Sequence, residues 1–148
     1  AAFLEEHLTL IYSGVTRNSG INNWDVYKAF FDGDESVRLG MKTISQYSLQ
    51  AYHAIKNKNF DELLNLIGQE GESRKNLSAG IVPSEVQSFF ETLKEKSAVL
   101  GLKMCGAGGG GCFLLTHKLD KSEEIRSFAQ EVGFTVLNFS VEEPLESL

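Results

Sequence analysis

Residues 106 to 111 read Gly-Ala-Gly-Gly-Gly-Gly, inside the longer run Lys103-Met-Cys-Gly-Ala-Gly-Gly-Gly-Gly-Cys-Phe-Leu-Leu115. Glycine loses more backbone freedom on folding than any other residue, so such a run opposes folding unless the native loop needs its conformations. A short apolar stretch enters the run and another leaves it, which places it inside a folded unit and not in a flexible linker. A loop of this kind lets something approach the backbone closely, often a phosphate held by peptide N–H groups.

The rest of the chain bounds what such a loop serves. At 148 residues it fits one domain, large enough to bury roughly two-thirds of its unfolded surface. A net charge of −6 argues against nucleic-acid binding, which calls for a basic face. No apolar run approaches the ~20 residues of a membrane span. Phe3-Leu4-Glu5-Glu6 puts acids where a signal peptide would carry bases. Cys105 and Cys112 flank the loop at a spacing that matches no common zinc or redox pattern. Without secretory signals they are expected to be reduced, half-buried thiols of a cytoplasmic protein. The chain opens Ala1-Ala2-Phe3 without a methionine, as a fragment or processed product would.

Periodicity gives the order of elements. Leu8–Tyr12 reads as a strand ending in a Ser13-Gly14 turn. Val15–Gly33 reads as a loop with a helical turn near Trp24–Phe31. Ser36–Asn57 follows helical spacing. Asn59 with Glu62 resembles a capping box opening a second helix with Phe60, Leu63, Leu64 and Ile67 on one stripe. Ser84 with Gln87 is read as another, for a third helix closed by Gly101 as its C′ residue. Leu102–Cys105 and Cys112–Thr116 are expected strands on either side of the glycine loop. Asp120 with Glu123 caps a fourth helix closed by Gly133, and Phe134–Phe139 is a last strand before an acidic tail, Val141–Leu148. Set the extra helices aside and an α+β, ferredoxin-like split β-α-β-β-α-β unit remains.

Strand after the loop removes two readings of it. Gly106, Gly108 and Gly111 fit G-x-G-x-x-G, but that fingerprint needs a helix directly behind it. Gly106 and Gly111 also have P-loop spacing, yet Cys112 and Phe113 stand where the lysine and the magnesium-holding hydroxyl belong.

The run Lys103–Cys112 resembles the third motif of the GHMP kinases, which phosphorylate galactose, homoserine, mevalonate and phosphomevalonate. The chain departs from the usual form at Cys105, where threonine or serine is commoner. The element order is similar to that family's C-terminal domain over essentially all 148 residues. Leu8–Arg17 further resembles the strand and turn of the heptose-phosphate kinase group. That resemblance implies D-glycero-D-manno-heptose 7-phosphate as acceptor, with mevalonate or galactose as alternatives. It also implies ATP and Mg2+ as cofactors of the full-length enzyme.

Gly106, Ala107, Gly108, Gly109, Gly110 and Gly111 would then border the acceptor site and pack against the nucleotide loop. Arg17 carries a fork of donors that suits an anion, with Ser13 and Thr16 offering hydroxyls; a solvated arginine in a surface turn is the alternative. Lys103 enters the loop where it would neutralise phosphate, unless it merely sits on the outward face of a strand. Valine at Gly108 or Gly109 is expected to abolish activity in the full enzyme while sparing the fold.

The family's Pro-x-x-x-Gly-Leu-Gly-Ser-Ser-Ala motif has no match here, for the only prolines are Pro83 and Pro144. The expectation is a C-terminal domain whose N-terminal kinase domain lies outside this chain, with no catalytic residue of its own and no activity alone. Baring the face towards that domain would favour self-association. A stand-alone ferredoxin-like module that binds a small ligand is the competing class. His7, His53 and His117 show no ligand spacing and are read as surface or helix-end residues. Asp32, Asp34 and Glu35 are read as a solvated turn in preference to a magnesium site. Trp24, Tyr27, Phe30 and Phe31 are expected to pack onto the core.

Overall fold

The structure, a computed structural model, describes residues 1–16 and 19–142. Six helices and four strands follow one another as α1 (Ala2–His7), β1 (Leu8–Tyr12), α2 (Ser19–Asp32), α3 (Glu35–Lys56), α4 (Phe60–Lys75), α5 (Ser84–Glu95), β2 (Gly101–Met104), β3 (Cys112–Thr116), α6 (Ser122–Glu131) and β4 (Thr135–Leu137). The sheet order is β2-β3-β1-β4 and every neighbouring pair is antiparallel. With α1 to α4 set aside, this is the expected split β-α-β-β-α-β unit.

One face of the sheet makes the core. Ile11, Phe113 and Leu115 are fully buried, with Leu102 and Met104 beside them. Against them pack Val86, Phe89, Phe90 and Leu93 of α5 and Ile125 and Ala129 of α6. Phe89 stacks on Phe128 at 5.2 Å and meets Phe113 and Phe134 edge-on. Each such side chain contributes about 1.5–3 kcal/mol by leaving water. The edge strand β2 is covered by α4, which approaches closely because both surfaces are glycine. A Cβ on Gly68 would stand 2.9 Å from Gly101 Cα, and one on Gly71 would overlap the Leu102 carbonyl. Covering an edge in this way removes a template for pairing with other chains.

Several boundaries differ from expectation, each for a local reason. The segment read as a loop after Val15 contains a 14-residue helix, α2. Its turn-like asparagines hid it, and its inner face is carried by Val26, Ala29 and Phe30. The first residues form the short helix α1, which the sequence reading left unassigned. Gly101 is not the C′ residue of α5. That helix ends at Glu95, and Ser97 takes the left-handed turn at φ 55°. Ala98 N–H then donates to Leu93 O and Ser97 N–H to Lys94 O, a complete Schellman closure. Gly101 instead opens β2, pressed on Gly68.

Lys58 closes α3 in the same way at φ 56°, and the expected Gly133 closes α6 at φ 83°. Of the capping boxes, Asn59 does accept from Glu62 N–H at 3.3 Å. The Ser84 hydroxyl donates to Glu85 instead, because the helix already begins there behind Pro83. Asp120 falls in a 3-10 turn, Leu119–Lys121, and α6 has no side-chain cap. The last strand is three residues long, within the six expected. Most of the acidic tail, residues 143–148, lies outside the described residues.

Candidate functional site

The glycine loop is the turn of the β2–β3 hairpin. Met104 pairs with Phe113, and Cys105 N–H donates to Cys112 O at 2.9 Å, closing the neck. The two cysteines therefore face each other there, both half-buried as expected. Beyond the neck, Gly106, Gly108, Gly109, Gly110 and Gly111 all have positive φ, between 73° and 126°. Side chains reach that region only at a cost of roughly 1–2 kcal/mol per residue. The glycines are thus required by the backbone path itself.

Two neighbours clamp the second half of the loop. Gly109 N–H donates to Ile81 O at 2.8 Å, in the link between α4 and α5. Gly111 N–H donates to Val15 O at 3.1 Å, and Gly111 O accepts from both the backbone N–H and the hydroxyl of Ser13 at 2.9 Å. A Cβ at Gly108 would stand 2.5 Å from Ile81 O, and one at Gly110 2.6 Å from Val15 O. Substitution at Gly108 therefore strikes the packing of the domain. The expectation that valine there spares the fold is corrected accordingly.

The first half is open. Gly106 is exposed, with nothing within 4 Å of a would-be Cβ. Among the described residues the amides of Gly106 and Ala107, in this open half, make no hydrogen bond, and neither do those of Gly108 and Gly110 in the clamped half. A loop with several N–H groups in search of an acceptor is suited to an anion.

The expected partners of the loop are distributed unevenly. Ser13 is buried and its hydroxyl is spent, donating to Gly111 O and accepting from Val15 N–H at 3.2 Å. It positions the loop. Thr16 is exposed next to Gly110. Arg17 lies outside the described residues.

Lys103 does not reach into the loop, because its ammonium pairs with Glu70 of α4. Glu70 is buried and receives Lys103 on one carboxylate oxygen and Arg74 on the other, Nε at 3.0 Å and Nη2 at 2.6 Å. Burial alone would push the Glu70 carboxyl up. The hydrogen bonds and charges of Arg74 and Lys103 outweigh it and hold the carboxyl below its ordinary range. Arg74 lines a cavity of about 70 Å3 with Ala107, Ile81 and Leu77 on one side and Asn23 and Tyr27 of α2 on the other. The sequence reading missed Arg74, since only the packing of α4 against the hairpin brings it near the loop.

The other residues singled out in the sequence do not join this site. His117 is fully buried and not on the surface. Its Nδ1 donates to Lys118 O and its Nε2 accepts from the Thr9 hydroxyl, both at 2.9 Å. Burial pushes its pKa down, so it is neutral, in the tautomer those partners select. Asp34 caps α3, accepting from Val37 N–H at 3.0 Å, and Asp32 pairs with Lys28. No group of three or more His, Cys, Asp or Glu side chains gathers for a metal ion among the described residues. Of the four aromatics of α2 only Phe30 packs on the core; Trp24, Tyr27 and Phe31 face outward at helical spacing. A wider groove of about 430 Å3 between α4 and α5 opens beside Gly101, at the other end of β2 from the loop.

A family profile described as GHMP kinases C terminal matches residues 48–134, which include α4, α5, the hairpin and its loop. The chain is 31% identical over 110 residues to an L-fucokinase/L-fucose-1-P guanylyltransferase of Bacteroides fragilis, covering 74% of this chain and 11% of that protein. It is 26% identical over 141 residues to a D-glycero-alpha-D-manno-heptose 7-phosphate kinase of Campylobacter jejuni, covering 95% of this chain and 40% of that protein. The chain thus spans less than half the length of these relatives. In fold it is similar to the Lin0012 protein of Listeria innocua, with TM-score 0.77 and 14% identity over 92% of this chain and 39% of that one. It is also similar to L. major mevalonate kinase, with TM-score 0.71 and 17% identity over 84% and 38%.

Proposed function

We propose a kinase function for this chain, which belongs to the GHMP kinase family as a C-terminal domain. In this reading the chain is one part of an ATP-dependent enzyme that phosphorylates a hydroxyl of a sugar or sugar phosphate. The carrying observation is the half-open glycine loop, clamped by Ile81, Val15 and Ser13 on one side and presenting unsatisfied amides on the other. Phosphoryl transfer depends on positioning and charge stabilisation far more than on covalent help from the protein. A rigid loop that aims N–H donors at phosphate oxygens contributes to both.

ATP supplies the phosphoryl group, and the amides of Gly106 and Ala107 are the groups of this chain that fit its oxygens or those of an acceptor. No group of three or more His, Cys, Asp or Glu side chains among the described residues fits Mg2+. The remaining machinery belongs to an N-terminal domain outside this chain, and the 148 residues alone have no turnover. The setting proposed is the cytoplasm.

A heptose 7-phosphate is the preferred acceptor, supported by the likeness to the Campylobacter enzyme across 95% of the chain. A neutral deoxyhexose is the second reading, favoured by the 31% identity to the fucokinase. The test is an acceptor panel of heptose 7-phosphate, fucose, galactose and mevalonate with labelled ATP and the longest polypeptide that carries this chain. Transfer to the heptose phosphate at the highest kcat/KM supports the first reading, and preferential transfer to fucose the second. No transfer to any acceptor contradicts both.

A further inference from the structure

We propose that Arg74, and not Lys103, is the cation that recognises an anionic group of the acceptor beside the glycine loop, held in place by Glu70 and Lys103. The proposal rests on the kinase reading and adds a specificity determinant to it: the acceptor carries a phosphate, and Arg74 reads it.

The two cations open onto different spaces. Lys103 and Glu70 line a cavity between α3 and α4 together with Tyr47 and Ile67, away from the loop. Arg74 shares its cavity with Ala107, whose amide and those of Gly106 and Gly108 have no partner among the described residues. An oxyanion seated there would lie between Ala107 of the loop and the Arg74 side chain. The cavity of about 70 Å3 has the room of roughly two water molecules, enough for one oxyanion and not for a sugar ring. The ring would lie outside, where Gly106 and Tyr27 are exposed.

The supporting cluster leaves charge to spare. Glu70 carries one negative charge between two positive ones, so the Lys103–Glu70–Arg74 row nets one positive charge. Lys103 satisfies one oxygen of Glu70, and Arg74 needs only Nε and Nη2 for the other. Its Nη1 has no hydrogen-bond partner among the described residues. A planar fork can hold a carboxylate along one edge and present donors along another, which an ammonium cannot do. Arg74 also stands in the last turn of α4, where the helix dipole favours a cation. Glu70 and Lys103 are accordingly positioning residues, and Arg74 is the contact.

The test uses the longest polypeptide that carries this chain, labelled with 15N-arginine, and titrates it with a hexose 6-phosphate and with the same hexose unphosphorylated. The Arg74 Nε resonance, identified by its loss in Arg74→Met, is expected to shift saturably with the phosphorylated sugar and stay unmoved with the neutral one. In turnover assays the preference for phosphorylated over neutral acceptor, as a ratio of kcat/KM, is expected to fall roughly 10- to 100-fold in Arg74→Met. The loss should appear mainly in KM. Arg74→Lys should restore part of the ratio, and Glu70→Gln should lower it less than Arg74→Met. An Arg74 resonance indifferent to the sugar phosphate, or an unchanged ratio in Arg74→Met, overturns the proposal even in an active kinase. Absence of all phosphoryl transfer contradicts the kinase reading, while the resonance still decides for or against Arg74.

Discussion

Gly106 and Gly108 provide a paired test of why the loop is glycine. Both sit in the left-handed region, at φ 73° and 78°, so any side chain meets the same backbone penalty, about 1–2 kcal/mol. Their surroundings differ. Gly106 has open space around it, whereas a Cβ at Gly108 would meet Ile81 O at 2.5 Å and Ile81 Cγ2 at 2.8 Å. The Ile81 carbonyl cannot retreat freely, because it also accepts the hydrogen bond from Gly109.

Gly106→Ala should therefore cost about 1–2 kcal/mol, the backbone penalty alone. Gly108→Ala adds overpacking of about 1–3 kcal/mol and a disturbed hydrogen bond of about 1 kcal/mol, giving roughly 3–6 kcal/mol in all. For a domain of this size that corresponds to a fall in Tm of about 3–6 °C against about 10 °C or more. Urea unfolding followed by circular dichroism measures both. Equal losses in the two variants would refute the claim that the second half of the loop is shaped by packing within the domain.

Other substitutions probe the frame that holds the loop. Gly71→Ala raises helix propensity by about 1 kcal/mol, yet it should destabilise by more than about 2 kcal/mol, because its Cβ meets the Leu102 carbonyl; a stabilised variant in thermal unfolding would contradict the α4–β2 contact. Ser97→Gly should stabilise by about 0.5–1 kcal/mol, since it relieves a left-handed serine, and an unchanged denaturation midpoint would count against the closure described for α5. The Glu70 carboxyl is held below its ordinary value of 4.5, so its contribution to stability is present above that pH and is lost as pH falls through the folded value. Unfolding free energies between pH 6 and pH 3 should thus fall more steeply in the wild type than in Glu70→Gln. His117 is held below 6.5, so the unfolded chain takes up a proton that the folded one refuses. Stability should decline below pH 6.5, and His117→Gln should flatten that slope in the same titration.

What the sequence made legible follows from how local each signal is. The strands of the hairpin were readable because alternation and the glycine run lie within a few residues of one another. Gly133 was readable as a helix end because glycine is the residue that the left-handed turn prefers. Lys58 and Ser97 occupy the same kind of turn and gave no such cue, so α5 was drawn too long and Gly101 took a role it does not have. The helix α2 was obscured by Asn22, Asn23 and Asp32, whose turn preferences are overridden by packing of Val26, Ala29 and Phe30.

For the site, the sequence pointed at Lys103 because it stands next to the loop in the chain. The fold turns that side chain towards Glu70 and brings Arg74, 33 residues from Ala107, into the space beside Ala107. Proximity of that kind is set by how α4 lies on β2, through glycines 68, 71 and 101, and no spacing rule along the chain expresses it.

We propose that this chain is one part of a longer kinase and acts only with the rest of it. The test is phosphoryl transfer from labelled ATP to a sugar phosphate, measured side by side for the longest encoded polypeptide and for residues 1–148 alone. Transfer is expected from the longer polypeptide and not from the 148-residue chain. Transfer by the isolated chain, or none by the longer polypeptide with any acceptor of the panel, would contradict it.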